Sequence, residues 1–272
     1  MKYKIAVLIC LLIVYFMFVK RRKSKSVSWS KPLVTENYER GSKVIVYNSY
    51  NRGYLGKQFV KLGKLLTERF CKSHNHVYKT IIHDDDFMSP YWIRVHDLYD
   101  MCLNNIDGVL IMYLDADAVV LQHDVSVNQF ISNVDPNESA DIYMSEDPAI
   151  DSVYYPGIFN TGCFIVRNTV SSRKLIKEWL DKYNKGNTWK MDENGKWNCK
   201  IKEKECSWSH DGYEQGEFSN IYRKHKHNQD KIMRLHWSAL ACTDPANKNC
   251  YVLHLMGHDD QTREKIFRKL LH

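Results

Sequence analysis

From Lys43 onward the chain alternates short apolar blocks with polar stretches, and the apolar spacing switches between two periods. "KVIVYNSYN" (Lys43–Asn51) predicts a strand that ends in polar residues. "GKQFVKLGKLLTERFCKSH" then sets Phe59, Leu62, Leu65, Leu66 and Phe70 on one helical face. "HVYKTIIHDDD" predicts a second strand closed by three acids. "YWIRVHDLYDMCLNN" predicts a second helix through Trp92, Val95, Leu98, Tyr99 and Cys102. "VLIMYLDADAVV" (Val109–Val120) is an apolar run of the kind buried on both faces of a parallel sheet. The order βαβαβ implies a parallel sheet with right-handed crossovers and a ligand site at its C-terminal edge.

"ADIYMSEDPA" continues as a strand running into a turn at Pro148, and "GIFNTGCFIVRN" (Gly157–Asn168) as a strand interrupted by a glycine. Such a glycine marks a bulge or a close approach of backbone. "SSRKLIKEWLDKY" stripes Leu175, Ile176, Trp179, Leu180 and Tyr183 along a helix. Asn184–Gly212 is long, polar and poor in aliphatics, yet carries Trp189, Trp197 and Trp208. Segments of this length usually bind or cover something. "YEQGEFSNIYRKH" predicts a short helix, "KIMRLHW" and "YVLHLMG" two late strands, and "QTREKIFRKLLH" a terminal amphipathic helix. The fold class expected from this order is α/β.

At 272 residues, 44% hydrophobic and 26% charged, the chain is globular, which excludes wholesale disorder. Its net charge of +7 is concentrated in Lys20–Lys25 and Tyr222–Lys231. With no basic stripe and no nucleic-acid motif, the expected partners are a phosphate-bearing substrate or a membrane surface, and not nucleic acid. "IAVLICLLIVYFMFV" (Ile5–Val19) is unbroken by charge, though shorter than the roughly 20 residues that span a bilayer comfortably. Flanking lysines can snorkel, and no small-x-small cleavage site follows, so it reads as an uncleaved transmembrane anchor. The expected organisation is residues 1–25 for a short tip, anchor and basic flank, 26–42 for a polar stem and 43–272 for the folded domain.

Orientation is pulled two ways. The bias of Lys20, Arg21, Arg22, Lys23 and Lys25 over Lys2 and Lys4 places the folded domain in the cytosol. The Asn137-Glu138-Ser139 sequon points to a lumen, as do the close pairs Cys199/Cys206 and Cys242/Cys250, in polar sequence as disulfides are. Cys71, Cys102 and Cys163 lie in apolar surroundings and read as core residues.

Asp115 and Asp117 change the picture most. A bare carboxylate at the end of a buried strand is costly unless it is paired or holds a cation. Side chains two apart on a strand share a face, and two hard oxygen donors suit Mg²⁺ or Mn²⁺. A buried structural pair of carboxylates is the other reading. The acids Asp84 to Asp86 read as solvated loop charge.

Taken in order, "WIRVHDLYDMCLNNIDGVLIMYLDADAVV", "FNTGCFIVRNTVSSRKLIKEWLD", "YEQGEFSNIY" and "LHLMGH" resemble the motifs of GT-A-fold glycosyltransferases. The chain is most similar to the fungal galactosyl- and mannosyltransferases and plant xyloglucan xylosyltransferases, and more distantly to the glycogenin-like group. The likeness covers most of the chain from Lys43 and is strongest between Trp92 and Asp181. It implies a GT-A (Rossmann-like) mixed, mainly parallel sheet flanked by helices. It further implies retaining transfer of a hexose or pentose from a nucleotide-diphosphate sugar to a glycan or glycoprotein, with Mn²⁺ or Mg²⁺. Members are commonly type II membrane proteins of the Golgi, which implies a luminal catalytic domain in the Golgi or ER.

Stabilising a departing diphosphate is the chemical task, and a Lewis-acidic metal does so without proton transfer. By the resemblance, Asp115, Asp117 and His254 are the metal ligands, with Asp115 also touching the donor. Gly257 lets backbone approach the phosphates, and Arg94 points at the diphosphate or donor sugar. Tyr47 and Asn48 lie where the base rests, and Asn160 is a donor contact within Asn160-Thr161-Gly162, whose glycine is structural. Glu214 and Gln215 match the acid–Gln pair near the anomeric carbon, and Glu146 and Asp147 are candidates for the sugar hydroxyls. The pattern departs at Asp260, where such turns often carry a lysine; Arg263 or Lys265 is then the substitute. The tryptophan-bearing segment is either an acceptor platform of aromatic faces or a lid pinned by Cys199 and Cys206.

Two other readings compete. A haloacid-dehalogenase-type phosphohydrolase would use Asp115 of "MYLDADAV" as nucleophile and "HDDQ" (His258–Gln261) as a later acidic motif. A catalytically inactive glycan-binding homologue would keep the fold without turnover.

Overall fold

The computed structural model describes residues 44–147, 157–186, 188–201, 204–206, 208–224 and 229–272, together with the backbone of 33–34. The elements run β1 (Leu33–Val34), β2 (Val44–Asn51), α1 (Gln58–Ser73), β3 (Val77–His83), α2 (Ile93–Leu103), β4 (Leu110–Leu114), β5 (Ala118–Val120) and α3 (Val127–Val134). They continue with β6 (Ile142–Glu146), β7 (Phe159–Arg167), α4 (Val170–Gly186), β8 (Trp189–Met191), β9 (Trp197–Ile201) and β10 (Lys204–Glu205). Last come α5 (Glu214–Lys224), β11 (Ile232–Leu235), β12 (Val252–His254) and α6 (Asp260–Leu271).

Strands β2 and β4 are buried along their whole length, so neither has a solvent face and both must lie inside a sheet. They pair in parallel at the centre of a seven-stranded sheet ordered β1-β3-β2-β4-β7-β6-β11. β3 and β11 also join in parallel, while β7 runs antiparallel to both its neighbours and β1 antiparallel to β3. Five strands therefore point one way and two oppose them, a mixed sheet dominated by one direction. Aliphatic and aromatic stripes cover both faces. Ile93, Val95 and Leu98 of α2 share one core with Ile176 and Trp179 of α4, and α1 packs against α6 near Phe267.

Several expectations change in detail. Leu65, expected on the buried face of α1, is 40% exposed. The apolar run at Val109–Val120 is not one strand, because it turns at Asp115 and restarts as β5. Helix α3 was not expected, although Ser126 and Gln129 form a capping box at its start that is legible in sequence. The polar segment after α4 folds into a small three-stranded antiparallel sheet, β8-β9-β10. The sheet also takes in Leu33–Val34, which pair with Ile82 and Ile81 of β3.

The anchor at Ile5–Val19, its basic flank, the rest of the stem and the turn at Pro148 lie outside the described residues. Among the described residues no helix is long and apolar enough to cross a membrane.

Of the two cysteine pairs, Cys199 and Cys206 are joined. Cys242 and Cys250 are separate buried thiols, each donating to a backbone carbonyl two residues on, at 3.2 and 3.3 Å. The loop between them is polar and exposed, but its two ends turn inward, which sequence polarity does not reveal. Cys71, Cys102 and Cys163 are buried core residues, as their surroundings predict.

A buried polar knot fastens α2 to the C-terminal end of β2. Asp97 has His83 Nε2 at 2.8 Å and His96 Nδ1 at 3.1 Å, and Ser49 donates its hydroxyl to it. Burial pushes the Asp97 carboxyl up, but the hydrogen bonds from His83, His96 and Ser49 outweigh it and hold the group below its ordinary 3.8. A carboxyl depressed in the fold stabilises it above that value, and the stabilisation drains away as pH falls below it. Asp97→Asn should therefore cost about 3 kcal/mol near neutrality, because the buried hydrogen bonds from His83, His96 and Ser49 lose their charged acceptor. Urea melts would show the gap from wild type narrowing as pH falls below 3.8. An equal gap at neutral and acid pH would mean that the charge of Asp97 does not hold α2.

Candidate active site

A cavity of about 550 Å³ opens where β2 and β4 end, at the C-terminal edge of the parallel strands. Its floor is built by two pairings. Asp115 donates its backbone N–H to the Gly162 carbonyl on β7, at 2.8 Å, and the chain turns so that Ala118 bonds back to Asp115 at 3.0 Å. β5 then pairs antiparallel with β12, which sets His254 opposite Ala118, and the Leu255 N–H reaches the Asp117 carbonyl at 3.0 Å. The two acids are thus on a turn and not on a strand face. Even so they converge, with His254 Nε2 at 3.6 Å from Asp115 and 3.3 Å from Asp117.

Gly162 makes room for this arrangement. A Cβ there would fall 2.0 Å from Cε1 of His254. Burial opposes the charged imidazole, but Asp117 overrides it and raises the His254 pKa. Burial likewise raises Asp117, and His254 together with Arg263 pulls it down to about 2. One oxygen from each acid and the imidazole nitrogen lie mutually within 4.8 Å, a donor set that suits Mn²⁺ or Mg²⁺. The other imidazole nitrogen, Nδ1, is buried without a hydrogen-bond partner. The residues present therefore fit a divalent ion.

Two arginines line the same cavity. Arg94 clasps Asp115 through both terminal nitrogens at 3.1 Å, bonds the Thr161 carbonyl at 3.2 Å and lies 3.7 Å from Glu214. Tyr113 donates to Asp115 at 2.5 Å. Arg263, in the first turns of α6, reaches Asp117 at 2.7 Å and rests over the Phe59 ring. Of the two substitutes expected for the missing lysine, Arg263 faces the cavity and Lys265 is exposed away from its lining. Asp260 pairs instead with Lys57 at 3.0 Å.

Opposite the acids, the start of α5 presents Glu214 and Gln215. Thr161 donates its hydroxyl to Glu214 at 2.8 Å and its N–H to the Gln215 carbonyl oxygen at 3.1 Å. The second oxygen of Glu214 is buried with no partner. Burial lifts the Glu214 carboxyl above its usual range, against the opposing pull of Arg94.

The remaining expected residues divide. Asn160 lines the cavity, as does Gly257, whose φ of +76° favours glycine. Asp147 is set behind that wall, accepting from Asn160 and Gln215 at 3.2 Å each, and is not part of the described lining. Glu146 pairs with Arg234 at 2.8 Å, away from it. Tyr47 and Asn48 are corrected: both are buried, donating to the Arg94 and Leu114 carbonyls at 2.8 and 2.6 Å. The residues of β2 that reach the cavity are Ser49 and Tyr50, followed by Tyr54. The acidic "HDDQ" motif is also dispersed, with Asp259 capping α6 and Asp260 on Lys57. Asp85, read as solvated charge, accepts the Gly53 N–H at 3.0 Å.

The family described as nucleotide-diphospho-sugar transferase matches residues 79–268, well over half of the chain. No curated protein matches it. Among solved structures it is similar to a glycosyltransferase involved in the glycosylation of the major capsid of PBCV-1, with 12% identity and a TM-score of 0.57 over 83% of this chain and 98% of that one. It is also similar to the galactosyltransferase LgtC, solved with donor and acceptor sugar analogues, with 11% identity and a TM-score of 0.50 over 83% and 94%. At such identity the structural likeness carries the fold, and the family match carries the class. The chain belongs to the nucleotide-diphospho-sugar transferase family and is a glycosyltransferase of GT-A fold.

Proposed function

We propose that this transferase is metal-dependent and retaining, and that it moves a hexose or pentose from a UDP- or GDP-linked donor to a glycan or glycoprotein. The observation that carries the reading is the convergence of Asp115, Asp117 and His254 beside two arginines in one cavity. Bound there, Mn²⁺ or Mg²⁺ would act as a Lewis acid on the departing diphosphate. Arg263 adds a cation on the Asp117 side, and Arg94 orients Asp115 while neutralising Glu214. Gln215 and Glu214, fixed by Thr161, face the reacting sugar; Asp147 positions Gln215 and Asn160. Ser49, Tyr50 and Tyr54 replace Tyr47 and Asn48 as candidates for the nucleoside contact. The anchor at Ile5–Val19 would hold the domain in the Golgi or ER lumen, a placement that the Cys199–Cys206 bond favours over the cytosol.

The phosphohydrolase alternative loses its support, because Asp115 is clasped by Arg94 and Tyr113 and the later acidic motif is away from the cavity. A screen of UDP- and GDP-sugars for nucleotide release with Mn²⁺, with and without EDTA, tests the proposal. Release from one donor, abolished by EDTA, is expected. Clean hydrolysis of p-nitrophenyl phosphate with no nucleotide released from any sugar donor would overturn it.

A further inference from the structure

Asn137-Glu138-Ser139 is the one Asn-x-Ser/Thr triplet in the chain. It lies between α3 and β6, on a turn in which the Asp135 carbonyl accepts the Glu138 N–H at 2.9 Å. Pro136, Asn137, Glu138 and Ser139 are exposed, while Asp135 and Ala140 on either side are buried. The turn is fastened from beneath through Asp135. Its carboxylate accepts the Ala140 N–H at 2.9 Å, the Tyr143 hydroxyl at 3.0 Å and the Ser139 hydroxyl at 3.1 Å. Glu138, with a φ of +48°, pairs with Arg167 at 2.8 Å. The side chains that hold the turn are thus neighbours of Asn137 and not Asn137 itself.

Other asparagines commit their amides to the fold. Asn168 donates to the carbonyls of Cys102, Asn105 and Ile106, and Asn48 to that of Leu114. Even the exposed Asn104 donates to the Asp100 carbonyl. The Asn137 amide has no hydrogen-bond partner among the described residues. Its place in the sheet is equally plain. β6 runs parallel to β4, because β7 between them is antiparallel to both, so the two start at one edge. Arg167, the partner of Glu138, pairs with Leu110 at the start of β4. The triplet is therefore at the edge where the parallel strands begin, and the cavity is at the edge where they end.

We propose that Asn137 is a site of N-linked glycosylation, taking an oligosaccharide from a lipid diphosphate carrier in the lumen. The inference rests on the luminal placement of the domain and adds a modification to it. In the transfer, Nδ2 of Asn137 bonds to C1 of the first sugar as the bond from C1 to the diphosphate oxygen breaks. The lipid diphosphate leaves with the electron pair, and the amide proton passes to a base of the transferring enzyme. The Ser139 hydroxyl, two residues on, is the recognition element. A bulky, hydrated glycan needs a surface attachment point whose side chain holds nothing in place, and Asn137 is one. Because the cavity opens at the opposite edge, a molecule cannot present this amide to its own active site. The glycan also leaves the cavity mouth clear.

Translation of the full-length chain with endoplasmic-reticulum microsomes tests this. The protein should be shielded from added protease and should run as one slower band, restored to its unmodified mobility by peptide:N-glycosidase. That enzyme converts the glycosylated amide to a carboxylate, which peptide mass spectrometry should place at position 137. Asn137→Gln and Ser139→Ala should abolish the slower band, and Ser139→Thr, which keeps the hydroxyl, should retain it. A shielded chain without the slower band would overturn the glycosylation and leave the luminal placement standing. A chain digested by the protease would overturn both. A slower band that persists in Asn137→Gln would remove Asn137 as the site.

Discussion

Asp117→Ala should lose at least about 10³-fold in kcat/KM for nucleotide release, the equivalent of roughly 4 kcal/mol of transition-state stabilisation. The side chain is only 14% exposed and stands between His254 and Arg263, so its loss would remove one proposed metal ligand and the partner that His254 and Arg263 share. The Arg263 guanidinium would then be free to pair with a donor diphosphate unaided. The variant should consequently still bind UDP or GDP without metal, while Mn²⁺ no longer enhances turnover. Release assays over a Mn²⁺ series, paired with calorimetry of nucleotide binding, separate these effects. Turnover and Mn²⁺ dependence like those of wild type would remove Asp117 from the metal site altogether.

Gly162→Ala is expected to damage the same site without touching a ligand. The added methyl would fall 2.0 Å from Cε1 of His254 and 2.7 Å from each ring nitrogen. His254 is buried, with 6% of its side chain exposed, and the space beside its ring is the cavity itself, so a shift there carries the ring off its present position between the acids. Either the ring rotates away from Asp117 or β7 yields, and overpacking of this kind costs about 1–3 kcal/mol. Displacing a ligand from its held position should lower Mn²⁺ affinity by about 10–100-fold. Electron paramagnetic resonance of free Mn²⁺ would measure this beside His254→Ala. Should Gly162→Ala bind Mn²⁺ as tightly as wild type while destabilised, His254 would be a packing residue and not a ligand.

The parts of this molecule that sequence reveals are those with a strong local period or a costly residue type. The stripes of α2 and α4 are legible because few arrangements bury Trp92, Leu98, Ile176 and Trp179 together. Asp115 and Asp117 are legible because two acids after a buried apolar run demand an explanation. Their turn is not, since Ala118, Val119 and Val120 continue the same hydrophobic pattern on a different sheet. Tyr47 and Asn48 mislead for a related reason. β2 is buried throughout, so no alternation marks which residues reach its end, and Ser49 and Tyr50 take the cavity. The role of Arg263 needs its distance to Asp117, which no spacing supplies. The three tryptophans of the polar segment look alike in sequence and separate only when the small sheet buries Trp189 and leaves Trp208 at the cavity.

The ribbon of β5 and β12 joins stretches of chain that are far apart in order of synthesis. A nascent polypeptide carries both aspartates long before it carries the imidazole that faces them, and domains emerge from their N-terminal side first. Closing so long a loop costs little more than closing one half its length, so the delay is one of timing and not of equilibrium. Until β12 docks, the acids have Arg94 and Tyr113 for company but no imidazole beside them. Ribosome-bound or prematurely terminated chains ending before Val252 would therefore be silent, unable to assemble the proposed metal site while folding is incomplete.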